Sequence, residues 1–179
     1  CGDETVIMPH LRPQLPKAMD EAVVGTLNLS QYDSEEAIHE ATLELMREHQ
    51  RELDEAAIER AVGASKAAAG LGTTGVEDTL AALSNGQVEE LVISASFDDL
   101  EYSTKKVKKV LKAYAPGEDH SGSEVLPDAK EPRQIADELI VRALNTAASI
   151  RFIEESDLLN EAKGVASVLR YNMNSTANG

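Results

Sequence analysis

The chain has 179 residues but no tryptophan, only two phenylalanines and only four tyrosines. A core of large aromatics is excluded, so leucine, valine, isoleucine and alanine must supply it, which suits layered helices and sheet. Cysteine is nearly absent. Cys1 stands alone, which excludes an internal disulfide and a multi-cysteine zinc site and fits a reducing cytoplasm. No apolar run approaches the roughly 18 residues of a membrane span, and no signal peptide is visible. Positive charge is scarce as well. Seventeen Lys and Arg face 32 Asp and Glu, a net charge of −15. Extended contact with nucleic acid is disfavoured, because phosphates are gripped by Lys and Arg that displace counterions. Anionic membrane surfaces are disfavoured for the same reason.

What is present suffices for a folded unit. Apolar residues make up 42% of the chain, and the length suits one domain, or one domain with a piece of another. The first residue is Cys1 rather than Met. A fragment of a longer protein is expected, with the mature end of a bacterial lipoprotein as the lesser alternative.

Residues 1–32 read as the end of something larger. Val6–Met8 is a brief apolar stretch, and Pro9, Pro13 and Pro16 punctuate the residues after it. Leu15-Pro16-Lys17 is expected to start a short helix through about Ala22, and Val23–Leu29 alternates as a strand would. Residues 33–62 predict one long helix of roughly 43 Å. Asp33 and Glu36 form a candidate capping box. Ile38, Ala41, Leu45, Leu53, Ala57 and Ala61 trace a thin apolar stripe, and Glu and Arg fill the opposite face. Such a helix suits a connection between domains. The Gly- and Ala-rich stretch 63–74 is expected to be a linker or a frayed helix end.

From Gly75 the pattern becomes regular. A second capping box, Thr74 with Glu77, starts a helix through Ser84, and Asn85-Gly86 stops it. Leu91–Ser96 reads as a buried strand, because Leu91, Val92 and Ile93 are too continuous for a half-exposed edge. Residues 97–131 form a polar insert around one helix, Thr104–Tyr114, which Pro116-Gly117 ends. Pro132 opens a further helix to Ala147, with Ile135, Leu139, Ile140, Ala143 and Leu144 inward. A strand at Ile150–Ile153, a helical turn at Asp157–Glu161 and a strand at Val165–Tyr171 complete the series. Asn172–Gly179 reads as a loose tail. The alternation predicts an α/β fold, a mixed sheet between helices.

Little in the chain resembles catalytic machinery. His39 and His49 lie ten residues apart on one helix, about 15 Å along its axis, and cannot share a metal. His10 and His120 lack local partners. Adjacent acids abound, as expected with 32 of them. Asp98-Asp99-Leu100-Glu101 is singled out because it lies just past a strand end, where α/β sites gather. No P-loop, dinucleotide fingerprint, nucleophile elbow or zinc-protease motif is present. One basic cluster stands out: Lys105, Lys106, Lys108, Lys109 and Lys112. Removing these five charges from −15 leaves −20. The plain reading is the solvated face of an amphipathic helix. The sharper one is a contact for RNA phosphate or an acidic partner.

Gly75-Val76-Glu77-Asp78-Thr79-Leu80-Ala81-Ala82-Leu83, followed by Gly86-Gln87-Val88-Glu89-Glu90-Leu91-Val92-Ile93, resembles the opening of the third domain of class-1 release factors and Pelota. Gly164-Val165-Ala166-Ser167-Val168-Leu169-Arg170-Tyr171 resembles its closing segment. Leu15-Pro16-Lys17 with Val23-Val24-Gly25-Thr26-Leu27 resembles the end of the preceding domain in the bacterial archaeo-eukaryotic release-factor family.

The resemblance implies the fold of the kink-turn-binding ribosomal proteins over residues 75–172, with 97–131 as a variable insert and 173–179 as tail. It implies that 1–32 ends a preceding α/β domain and that 33–62 is an interdomain helix. Gly75, Glu77, Gly86, Gly164, Arg170 and Tyr171 carry over as structural residues of its motifs. The family's catalytic Gly-Gly-Gln loop is absent, and Gly86-Gln87 follows Asn85 at a helix stop. No catalytic residue is therefore expected. Residues 97–131 lack the cysteine pairs that bacterial members often carry there, so neither metal nor cofactor is expected. The expected function is a non-catalytic, cytoplasmic binding module that contacts the ribosome or a translational GTPase in rescue, hibernation or termination. One alternative is a metal-dependent hydrolase of RNA or nucleotides using Asp98, Asp99 and Glu101. Another is a scaffold that dimerises through the long helix.

Overall fold

A computed structural model describes residues 8–30, 32–67, 70–114 and 131–172. The start of the expected apolar stretch at Val6, the Pro116-Gly117 stop, His120, the loop at 118–130 and the tail from 173 lie outside these residues. The chain divides into two compact units, Cys1–Leu53 and Asp54–Gly179, and the division falls inside one helix.

The first unit holds two single-turn helices, α1 (Met8–Leu11) and α2 (Lys17–Asp20), with a 3-10 turn at Arg12–Gln14 between them. Arg12 pairs with Asp20 at 3.1 Å. The strand expected at Val23–Leu29 does not form: residues 23–30 join no ladder. Alternation favours an extended chain, but a strand needs a neighbour to take its hydrogen bonds, and none lies beside it among the described residues. Helix α3 runs Glu35–Lys66, four residues beyond its expected end. Ser34, not Asp33, caps it, accepting from the Ala37 N–H at 3.2 Å. The Asp33 carboxylate is spent on the Ser30 N–H at 2.6 Å. Within this unit α3 leaves Ile38, Leu43, Met46 and Leu53 exposed.

The second unit is a four-stranded mixed sheet between helices. Strands β1 (Gly72–Thr74), β2 (Val88–Ser94), β3 (Ser149–Ile153) and β4 (Val165–Leu169) stand in the order β1-β4-β2-β3. β2 pairs parallel with β3 and antiparallel with β4, and β4 pairs antiparallel with β1. The parallel pair requires a crossover, which α5 (Thr104–Tyr114) and α6 (Pro132–Asn145) supply. Helix α4 (Val76–Ser84) precedes β2, and α7 (Asp157–Glu161) precedes β4. Strand β1 corrects the expected linker at 63–74, whose remainder includes the last turn of α3. Three residues without a hydrophobic alternation are too few to be seen as a strand.

Alternate residues of the inner strands feed two cores. Leu91 and Ile93 of β2 join Leu80, Leu83, Ile135, Leu139 and Val165 on one face. Val92 joins Ile58, Ala61, Val62, Leu159 and Ala166 on the other. This two-sided burial explains the unbroken apolar run in β2. The C-terminal turns of α3 are therefore half of the sandwich. Gly72 permits their approach, since a Cβ there would sit 2.6 Å from the Ser65 nitrogen and 2.7 Å from the Ala61 carbonyl oxygen. Leu144, expected inward, is 64% exposed, because the buried face of α6 is set by Ile135, Ala136, Leu139 and Ala143.

The same link turns three helices into strands. After α4 the Gly86 N–H bonds Leu83 O and the Gln87 N–H bonds Ala82 O. After α6 the corresponding bonds are Ala147 to Leu144 and Ala148 to Ala143. After α7 they are Lys163 to Asn160 and Gly164 to Leu159. Each is a Schellman ending with a left-handed C′ residue: Gly86 at φ 68°, Ala147 at 52° and Lys163 at 64°. Each strand begins two residues after its C′ residue. The capping box expected at Thr74 and Glu77 does not form. Thr74 lies in β1, and Gly75 is the N-cap at φ 80° with no side-chain bond.

One ion-pair network crosses from α3 to the sheet. Glu90 of β2, its side chain 8% exposed, accepts from Arg60 of α3 and, at 3.3 Å, from Arg151 of β3. Arg151 also donates to Asp54 at 3.2 Å. A carboxylate this deep is tolerated because two guanidinium groups neutralise it.

Three substitutions probe these contacts. Ala147→Gly removes the cost of a β-carbon in the left-handed region and should raise stability by about 1 kcal/mol, read from urea midpoints. Gly164→Ala should lower it by about 2 kcal/mol or more, since a Cβ there would sit 2.6 Å from the Asp99 carbonyl oxygen at φ 76°. Glu90→Ala removes the buried acceptor but leaves Arg60 and Arg151 with side chains 59% and 33% exposed, so water solvates both guanidinium groups and the cost should be about 1 kcal/mol in the same measurement.

Candidate functional site

Helix α5 carries the basic cluster, and its bounds match those expected from the sequence. Glu77 of α4 positions its start by accepting from the Ser103 N–H at 2.9 Å. Val107 is buried, and Val110 and Leu111 pack against the same core. The opposite side is left to lysine. Lys105, Lys106, Lys109 and Lys112 are exposed, and Lys108 is half-buried. Lys105, Lys109 and Lys112 fall within an arc of about 60° along roughly 10 Å of axis.

This arrangement opposes helix stability. The first turn of α5 holds no acidic residue, while Lys105 and Lys106 sit near the positive end of the helix dipole. Lysines three and four apart also repel one another. Among the described residues, Lys105, Lys106, Lys109 and Lys112 form no ion pair. Arg47, Arg51, Arg60, Arg142 and Arg151 all do.

A polar and aromatic cluster lies where α5 ends. The Asn85 side-chain amide donates to the Tyr114 hydroxyl at 3.2 Å and to Gln87 Oε1 at 3.1 Å. Tyr171 donates its hydroxyl proton to the Asn85 carbonyl at 3.3 Å, and Gln87 Nε2 donates to the Tyr171 carbonyl at 3.2 Å. Beside it Arg170 donates through one nitrogen to the Thr146 and Ala147 carbonyls at 3.2 and 2.8 Å, closing the end of α6. In the sequence Tyr171 and Arg170 read as motif residues and Tyr114 as the last residue of a helix. Their meeting around Asn85 has no local signal, because it joins segments up to 86 residues apart.

The acidic segment after β2 does not assemble a metal site. Asp98 and Glu101 are exposed, and Asp99 Oδ2 accepts from Ser94 Oγ at 2.7 Å. Among the described residues no three His, Cys, Asp or Glu side chains converge on one point. The Phe97–Asp99 segment forms a 3-10 turn in which Asp99 is spent on the Ser94 hydroxyl, and no third ligand joins this carboxylate set among the described residues. His10 and His39 are exposed, and His49 faces Glu52 at 3.9 Å. An open cleft of about 440 Å³ beside β1 is lined by Lys66, Thr73, Thr74, Asp78 and Glu161 among others. Below it the hydroxyls of Thr79 and Ser167 are satisfied through Thr73, at 3.0 and 2.8 Å. Gly75 closes this corner by donating to the Ala162 and Val165 carbonyls. No helix among the described residues is long and apolar enough to cross a membrane.

Tyr102, just before α5, titrates abnormally. Burial, and then the negative charge of Glu131, raise its phenol above the ordinary 10.0. The folded protein thus holds this proton more tightly than the unfolded chain does. The contribution of this group to stability is complete below about pH 10 and falls as pH rises past it. Denaturation midpoints followed through that range should fall less steeply in Tyr102→Phe than in the parent.

No family model matches the chain, and no curated protein matches it. Solved structures do. Archaeal Pelota, from a model of ribosome-bound archaeal Pelota and ABCE1, is 14% identical over 82% of this chain and 35% of its own, with a TM-score of 0.46. An archaeal translation termination factor is 19% identical over 85% of this chain and 36% of its own, with a TM-score of 0.38. The chain spans about a third of the length of each.

Proposed function

We propose that the chain is a non-catalytic binding module of the translation machinery. It acts in the cytoplasm and docks on the ribosome or on a translational GTPase during rescue, hibernation or termination. The carrying observation is the lysine face of α5. Among the described residues, four exposed lysines stay without ion pairs on a chain of net charge −15, in an order that weakens their own helix. A merely solvated face would gain from mixing in glutamate, as α3 does throughout. Glu77, Gly86 and Gly164 serve the fold itself: they hold the start of α5, end α4 and pack against the Asp99 corner.

The full chain should cosediment with bacterial ribosomes at moderate salt, more strongly when they are stalled. Combined Lys105→Glu, Lys109→Glu and Lys112→Glu should abolish the pelleting while the melting temperature holds or rises. A protein that stays in the supernatant with stalled ribosomes would count against a ribosomal contact. Failure also to retain a translational GTPase would sink the reading.

A further inference from the structure

The two edges of the sheet are finished differently. Strand β1 is three residues long, and so short an edge offers little backbone for pairing. Strand β3 is five residues long, contains neither proline nor lysine, and pairs with β2 without a register shift. The devices that usually blunt an edge are missing from it. We infer that the free edge of β3, with the flank of α6 beside it, is a docking surface for an extended segment of a basic protein, which adds a fifth strand to the sheet.

The backbone supplies the first observation. The Ala95 N–H, just past β2, donates to the Ile153 carbonyl at 2.7 Å, so Ile153 turns its polar groups toward β2. Successive residues of a strand turn theirs to opposite sides. Ser149 and Arg151 therefore face β2 as well, while Ile150 and Phe152 present their N–H and C=O groups outward. Among the described residues no strand lies on that side.

The side chains of the same two residues supply the second. They stand opposite Leu91 and Ile93, on the α6 side of the sheet. Helix α6 packs over β3 and turns Arg142 toward α4, where it donates to Ser84 Oγ at 2.8 Å. Ile140 and Leu144 both lie roughly 160° around the helix from Arg142, on the flank away from α4. Phe152 is 49% exposed and Leu144 64%. An apolar flank beside an open ladder is what strand addition uses: main-chain bonds hold the guest, and its alternate side chains fit the flank. The guest is thus apolar at every second position.

Charge selects its remaining residues. On the α6 flank the exposed Asp137 and Arg133 offset each other. At the end of β3, Glu154 and Glu155 are exposed and form no ion pair among the described residues. Arg151, on the opposite face of the strand, is already engaged by Glu90 and Asp54. Lysine or arginine between the apolar positions therefore complements both this corner and the net charge of −15. A second copy would bring another chain of −15 to the same edge, which disfavours self-pairing.

The test uses the full chain and a fluorescein-labelled peptide of about ten residues, ample for pairing with a strand of this size, in which valine alternates with lysine or threonine. Anisotropy should show binding, and amide exchange at Ile150 and Phe152 should slow when the peptide is added. Two further peptides carry N-methyl groups, one on the valines and one on the intervening residues. Only one of these sets faces β3, so one peptide should fail and the other should bind. Equal behaviour of the two overturns the pairing. Phe152→Thr and Leu144→Gln should each weaken binding roughly tenfold and, since both residues are exposed, leave melting unchanged. Binding that tolerates both substitutions but falls with Glu154→Gln and Glu155→Gln is adsorption by charge, and it overturns the edge site. Slow exchange at Ile150 and Phe152 before any peptide is added means that the edge is already covered. Light scattering then assigns the cover to a second copy or to the chain itself, and either removes the partner from the proposal. A peptide that does not bind sinks it outright.

Discussion

The second unit depends on one strand being buried on both faces. Leu91, Val92 and Ile93 are wholly inaccessible, so the sheet needs two helical layers at once. One layer is α4, α5 and α6. The other is α7 with the C-terminal turns of α3, and much else is arranged to admit it. Gly72 gives up its side chain so that β1 can pass against the α3 backbone. Glu90 takes a buried position in the strand because Arg60 and Arg151 come to meet it. Such a network adds little net stability over apolar packing, but it penalises any other rotation or register of the helix on the sheet.

Most of this architecture is legible in the sequence. The alternation from Gly75 onward, the bounds of α5 and α7, and the double-sided burial of β2 follow from periodicity, turn residues and a continuous apolar run. The failures share a cause. Val23–Leu29 has a strand's pattern but, among the described residues, no neighbour. Gly72–Thr74 has a neighbour, β4, but no pattern. Pairing is a non-local fact, and neither segment carries it in its own residues. Each capping box fails by one residue. Ser34 stands beside Asp33, and Gly75 beside Thr74, so competing caps are available and the tertiary fold selects between them.

The candidate site divides in the same way. Five lysines on one helix are visible in any reading of the chain. That four of them lack ion pairs among the described residues is not, since pairing depends on spatial neighbours that sequence proximity does not reveal. The aromatic end of the site is invisible for a further reason. Tyr114 and Tyr171 look like the ends of an apolar face and of a strand, and each role is partly filled. They meet because Asn85, at a helix stop, gives its side-chain amide to Tyr114 and its carbonyl to Tyr171. The acidic segment lies past a strand end, and there Asp99 bonds Ser94 at the corner that Gly164 packs against, a contact that the sequence spacing does not show.

The three matching helix-to-strand links have a consequence for how such a chain can vary over evolution. In each, the strand starts a fixed two residues after the left-handed position, and successive strand residues face opposite layers. An added or deleted residue in any of these links would exchange the two faces of the strand behind it, turning Val92 or Ala166 toward the wrong core. Changes of length are therefore barred from three of the junctions. They remain open to the connection between α5 and α6, which hands its chain to a new helix rather than directly to a strand. A chain of this fold can lengthen there, beside the lysine helix, and acquire new surface without disturbing the sheet.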